Sequence, residues 1–185
     1  MKAIELTSSA SPYYDEAVEL YLTAFPESQR VPILVLQELV DREVGQALVF
    51  LDGDIFVGAA FAVFDEETYY LMFFAIDSRH RSKGYGHTAL NELDRHMPDR
   101  RILLEMEHID PAAPNNAQRI ARERFYLRNG FNYTDFAAEE DGELFDVLVR
   151  GQSITQDGML DFLMKIVGPE LVDDWGVILK PRVQQ

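Results

Sequence analysis

A chain of 185 residues with 47% hydrophobic and 26% charged residues has enough apolar material for a buried core and the composition of an ordinary folded protein. Its formal net charge of -15 argues against general nucleic-acid binding, which needs a basic surface; the charge is expected mainly to confer solubility, with attraction of a cationic partner as the other use. There is no cysteine, which excludes disulfides, thiolate metal sites and a cysteine nucleophile.

No run approaches the roughly 20 apolar residues of a membrane-spanning helix. The opening residues Met1-Lys2-Ala3-Ile4-Glu5 lack the apolar segment of a secretion signal. The expected location is the cytoplasm, without a membrane or nucleic-acid partner, as a monomer or homodimer.

Residues 2–7 alternate polar and apolar and are predicted to form a strand. Ser11-Pro12 has the form of a helix start, a capping hydroxyl followed by proline at the first helical position, and the helix is predicted to reach Phe25 before Pro26. A second amphipathic helix is predicted over residues 32–44. Three strands follow, over residues 46–51, 55–64 and 68–76, joined by turns at Asp52-Gly53-Asp54 and Asp65-Glu66-Glu67. Two of them are nearly all apolar, the pattern of strands covered on both faces.

After a polar loop over residues 77–83, a helix is predicted over 84–96 and a strand over 102–107. A helix over 115–129 ends at Gly130, a left-handed cap. Two strands follow, over residues 131–137 and 143–150, turning around Asp141-Gly142. A last helix is predicted over 155–167, followed by a tail containing Trp175. The order is β-α-α-β-β-β-α-β-α-β-β with an additional C-terminal helix. A meander followed by a β-α-β unit implies an α/β protein built on a mixed sheet. The domain is read as residues 1–150, with a helical extension at 151–185 packed on it.

The most informative stretch runs from Phe74 to Gly86. A strand ends at Ile76, a basic loop with Arg79, Arg81 and Lys83 follows, and Gly84 and Gly86 open a helix. Free N–H groups and the positive dipole end of a helix start bind anions, and glycines let a pyrophosphate approach the backbone. A basic cluster in so acidic a chain points to a local anionic ligand. Gly84-x-Gly86-x-x-Ala89, with Glu105 about 20 residues on, mimics a dinucleotide fingerprint. That fold, however, needs the glycines directly after the strand and a sheet of repeated β-α units.

Arg81-x-x-Gly84-x-Gly86 after Ile76 resembles the acetyl-CoA signature of the GNAT N-acetyltransferases. Phe125-Tyr126-Leu127-Arg128-Asn129-Gly130-Phe131 resembles that family's second landmark, a helix ending in Tyr-x-x-x-Gly-Phe. The element order also matches, from the first strand to about Arg150. The resemblance implies the GNAT acyl-CoA N-acyltransferase fold and acetyl-CoA as cofactor. It also implies transfer of an acetyl group to the amine of a small molecule or peptide, without a covalent enzyme intermediate. A CoA-binding module without catalysis is the alternative on the same fold. Carried over, the backbone of Phe74, Ala75 and Ile76 pairs with the pantetheine arm. Arg81, Ser82, Lys83, Gly84, Tyr85, Gly86 and His87 hold the pyrophosphate. Asn116 and Phe125 also touch the cofactor, and Tyr126 is the general acid. Where the family often has asparagine and a small residue, this chain has Arg119 and Arg122.

Glu105 and Glu107, two apart on one strand, share a face and form a candidate base, Glu107 being nearer the strand's C-terminal end. His80 and His87 flank the phosphate loop. His108-x-Asp110 is too sparse for a metal site, and no metal is expected.

Overall fold

The structure is a computed structural model that describes residues 1–140 and 142–182. Asp141, expected in the last turn, lies outside the described residues, as does the side chain of Trp175. The chain divides into two compact units, residues 1–64 with 69–99 and residues 65–68 with 100–185.

The first unit contains β1 (Lys2–Glu5), α1 (Tyr14–Ala24), α2 (Ile33–Asp41), β2 (Gly45–Asp52), β3 (Ile55–Phe64), β4 (Thr68–Ile76) and α3 (Tyr85–His96). The strands pair in chain order, each antiparallel to the next. As their apolar sequences imply, β3 and β4 are buried along most of their length. Leu20 of α1 packs with Leu6, Val49, Leu51 and Phe56, and Leu36 and Leu39 of α2 are buried. Gly58 is required by packing, because a Cβ there would stand 2.6 Å from the Ala75 carbonyl oxygen of the neighbouring strand.

The start of α1 differs from expectation. Its cap is Tyr13, left-handed at φ 67° and without a side-chain capping bond. The Ser11 hydroxyl instead accepts from the backbone N–H groups of Thr7 and Ser8, each at 3.2 Å. It therefore organises the preceding turn, a use that competes with helix capping.

The second unit contains β5 (Arg101–Glu107), α4 (Asn116–Arg128), β6 (Asn132–Glu140), β7 (Glu143–Arg150), α5 (Gln156–Ile166), α6 (Pro169–Trp175) and β8 (Ile178–Pro181). Its strand order is β5-β7-β6-β8, all antiparallel. β7 therefore separates β5 from β6. Thr155 caps α5, accepting from Gly158 N–H at 3.1 Å. Met159, Phe162, Leu163 and Ile166 form the buried face of that helix.

The expected α/β class and element order are present through Arg150. The tail adds two elements that the sequence reading lacked. Pro169 opens α6, left-handed Gly176 closes it, and β8 pairs with β6. No helix among the described residues is long and apolar enough to cross a membrane.

Candidate active site

The loop after β4 is built around one carboxylate. Asp77 accepts from Arg79 N–H at 2.8 Å and from the Arg79 guanidinium through Nε at 3.0 Å and Nη2 at 2.6 Å. Arg79 is the main reason that the Asp77 carboxyl is held down at about 2, against the opposing effect of desolvation. Arg79 is thus committed to shaping the loop and is not the mobile cation that the sequence suggested.

Arg81 and Lys83 are exposed. The Arg81 Nε donates to the Ile76 carbonyl at 3.1 Å, and the Lys83 ammonium donates to the Arg79 carbonyl at 3.2 Å. Both bonds fold the side chains over the loop while leaving further donors on each cation. Ser82 at φ 62° and Gly84 at φ 83° are both left-handed, so the chain reverses sharply before α3. At Gly84 an added Cβ would meet nothing within 4 Å, so glycine is needed there for its backbone angle. The open side of that turn presents the first N–H groups of α3, which have no partner within the helix.

Tyr85 holds the start of α3 in place, its hydroxyl donating to the Asp52 carboxylate at 2.6 Å. That bond raises the phenol's pKa. The His87 Nε2 lies 3.2 Å from the Asn91 amide, one turn along the helix. On β4, the Phe74 ring meets Phe50 edge-on at 6.1 Å, Ala75 is opposite Ala59 of β3, and Ile76 is opposite Gly58. The residues present fit a diphosphate: exposed cations, a glycine reversal and a helix start.

In the second unit, β5 delivers Glu105 and Glu107, both half-buried on one face of the strand. Glu107 accepts from Asn115 Nδ2 at 2.9 Å, lies 3.4 Å from the Arg119 guanidinium and is ion-paired with Arg122. Arg119 also donates to the Asn115 side chain at 2.9 Å and to the His108 carbonyl at 2.8 Å. The two arginines that depart from the family pattern therefore clamp the first turns of α4 to the end of β5. Glu107 is an engaged anion, and accepting a proton would weaken both ion pairs.

Asn116 has a buried side-chain oxygen without a hydrogen-bond partner among the described residues. This is the signature of a group awaiting a donor from outside the chain. Tyr126 is buried between Phe125 and Phe131, with ring centroids 5.2 and 5.5 Å away. Burial pushes its phenol up to about 12, with nearby Arg122 pulling the other way.

The sequence reading missed a further pair. The Nδ1 of His108 lies 2.8 Å from Asp146, whose other carboxylate oxygen accepts from Arg182 Nε at 2.8 Å. Asp146 is only 1% exposed. A lone acid within the apolar run Leu144-Phe145-Asp146-Val147-Leu148-Val149 was the available signal, since buried carboxylates are rare without partners. Donation from Nδ1 to the carboxylate leaves Nε2 as a proton acceptor.

Comparison with known proteins bears on this arrangement. Residues 10–131 match the acetyltransferase (GNAT) family. A GNAT-family protein from Bacteroides thetaiotaomicron is similar in structure, with a TM-score of 0.75 and 26% identity over 91% of this chain and 99% of that one. The aminoglycoside 6'-N-acetyltransferase from Enterococcus faecium has a TM-score of 0.58 and 18% identity, over 81% and 96% of the two chains. A GNAT family acetyltransferase from Elizabethkingia anophelis, solved with acetyl-CoA bound, has a TM-score of 0.54 and 14% identity, over 82% and 97%. No curated protein matches the chain in sequence. With the family match spanning most of its length and ending on the Gly-Phe landmark, the chain belongs to the GNAT acetyltransferase family.

Proposed function

We propose that this protein transfers the acetyl group of acetyl-CoA to a primary amine of a small molecule or peptide, by direct attack of the nitrogen on the thioester carbonyl. The observation that supports this most is the loop after β4, where Arg81, Lys83 and the reversal at Gly84 frame the start of α3. The backbone of Phe74, Ala75 and Ile76 holds the pantetheine arm, and the loop from Arg81 to His87 holds the pyrophosphate. Asn116 supplies an acceptor and Phe125 apolar contact. Acetyl-CoA contributes the activated acyl group.

In the transfer, the ammonium loses one proton to give the nucleophile. The C–N bond forms, the C–S bond breaks, the nitrogen loses a second proton, and the sulfur leaves as the thiol. Tyr126 donates a hydrogen bond to the departing sulfur. With its phenol at about 12 and a thiol near ~8.5, complete transfer of the Tyr126 proton is uphill by roughly 5 kcal/mol, so stabilisation through the hydrogen bond outweighs proton delivery. His108, oriented by Asp146, is the better base, because Glu107 is held by arginines. Glu105 is the other proton acceptor on the strand.

Calorimetry with acetyl-CoA and with desulfo-CoA tests the cofactor assignment. Micromolar binding is expected, and no binding of either at millimolar concentration would end the proposal. A thiol-release assay with an amine panel separates catalysis from passive CoA binding.

A further inference from the structure

The first unit contains a cavity of about 90 Å³ between α1, α2 and one face of the sheet. Its floor follows from strand register. Val49, Ala59 and Ala75 lie side by side across β2, β3 and β4, and Ala47, Phe61 and Phe73 form the next row. Three alanines in adjacent strands, at positions 47, 59 and 75, leave room that larger side chains would fill. One wall is aromatic. Tyr21 of α1 and Phe25 just after it meet the Phe73 ring edge-on, with centroids 4.8 and 5.1 Å away. The Tyr21 hydroxyl is tied to the Val31 carbonyl at 2.9 Å, which fixes the ring.

None of the residues lining the cavity is charged. For a chain of net charge -15 this is the telling contrast, because its acidity does not extend into the cavity. A polycation would lose its hydration there without a carboxylate in return. The volume limits the size of the group that is taken up. It far exceeds one water molecule but falls below the ~150 Å³ of an apolar cavity that takes up benzene. The space suits a branched aliphatic group of leucine or isoleucine size.

The cavity floor is continuous with the cofactor loop through β4, because Ala75 precedes Ile76, whose carbonyl receives Arg81. From these features we infer that the acceptor is a primary amine bearing a compact, branched apolar group, which this cavity takes up. The inference rests on the acetyl-CoA reading above, in which β4 carries the thioester arm. The nitrogen then attacks as described, with one C–N bond formed, one C–S bond broken and no further reactant.

The test measures kcat/KM at saturating acetyl-CoA for 3-methylbutylamine, for a short peptide beginning with leucine, for spermidine and for kanamycin. Either apolar amine is expected to exceed both polycations by about ten-fold or more, and the better of the two identifies whether the group arrives free or on a peptide. Ala59→Leu, which fills the floor, should lower kcat/KM for the apolar amine by roughly 10- to 100-fold while the acetyl-CoA Kd stays unchanged. Ala47→Val is the milder variant should the first fail to fold. With acetyl-CoA bound normally, equal or better turnover of the polycations, no turnover of the apolar amines, or indifference to the filled floor overturns the inference alone. Failure to bind acetyl-CoA overturns the cofactor reading and the inference with it.

Discussion

The loop after β4 and the junction between β5 and α4 both place arginines at a strand-to-helix boundary, from the loop itself in the first and from α4 in the second, and they use them in opposite ways. Around Arg81 and Lys83 the cations are exposed and make only bonds to nearby backbone carbonyls. Around Glu107 the side chains of Arg119 and Glu107 are 11% and 16% exposed and are joined in a network with Arg122 and Asn115. A count of basic residues does not separate these situations, but burial and partners do. Exposed cations with free donors are available to a ligand, whereas buried ones hold the fold together. Arg79 shows the distinction within a single loop, being tied to Asp77 two residues from a free neighbour.

The largest effect expected from this contrast is on stability at the β5–α4 junction. Glu107→Ala removes a carboxylate from both Arg119, which is left with Glu143 at 3.8 Å, and the partly exposed Arg122, and should cost about 2 kcal/mol, read from urea unfolding. A loss below 0.5 kcal/mol would show that the clamp is not structural. Next, His108→Gln should lower kcat/KM at pH 7 about 100-fold while leaving acetyl-CoA binding unchanged. Asp146 meets the His108 ring and is itself held by Arg182, and Arg119 donates to the His108 carbonyl while pairing with Glu107. Unchanged turnover in His108→Gln and a large loss in Glu105→Gln would move the base to Glu105.

On the loop side, Arg81→Ala should weaken acetyl-CoA binding about ten-fold, less so at high salt, with little change in melting temperature. A large fall in melting temperature with unchanged Kd would reverse the comparison. The smallest effect concerns Asp77. Its folded pKa of about 2 lies below the unfolded value, so its contribution is complete above pH ~4 and is lost as pH falls through about 2. Because Arg79 is 75% exposed, the contribution is screened to roughly 1 kcal/mol. Asp77→Asn should therefore lose about that much at pH 7 and progressively less as the pH falls towards 2.

Much of this was legible before the structure. The meander, the basic loop opening on Gly84, and the helix that carries Tyr126 and ends before Gly130-Phe131 all rest on local patterns that neighbouring residues impose. The departures have local reasons too. The Ser11 hydroxyl had two competing uses, and only the turn geometry chose between them. The strand β8 has four residues, too few for a periodic signal, and exists because the edge of β6 offers it a partner.

Sequence alone determined the order of elements, the place of the glycine reversal and the family landmarks, because these depend on backbone angles and on side-chain periodicity over a few residues. Tertiary structure alone decided that Glu107 is clamped, that His108 meets Asp146 from 38 positions away, and that three alanines line up beneath a cavity. Those facts follow from strand register and helix packing. They join residues far apart in the chain, and no local propensity encodes which distant partner a side chain will meet.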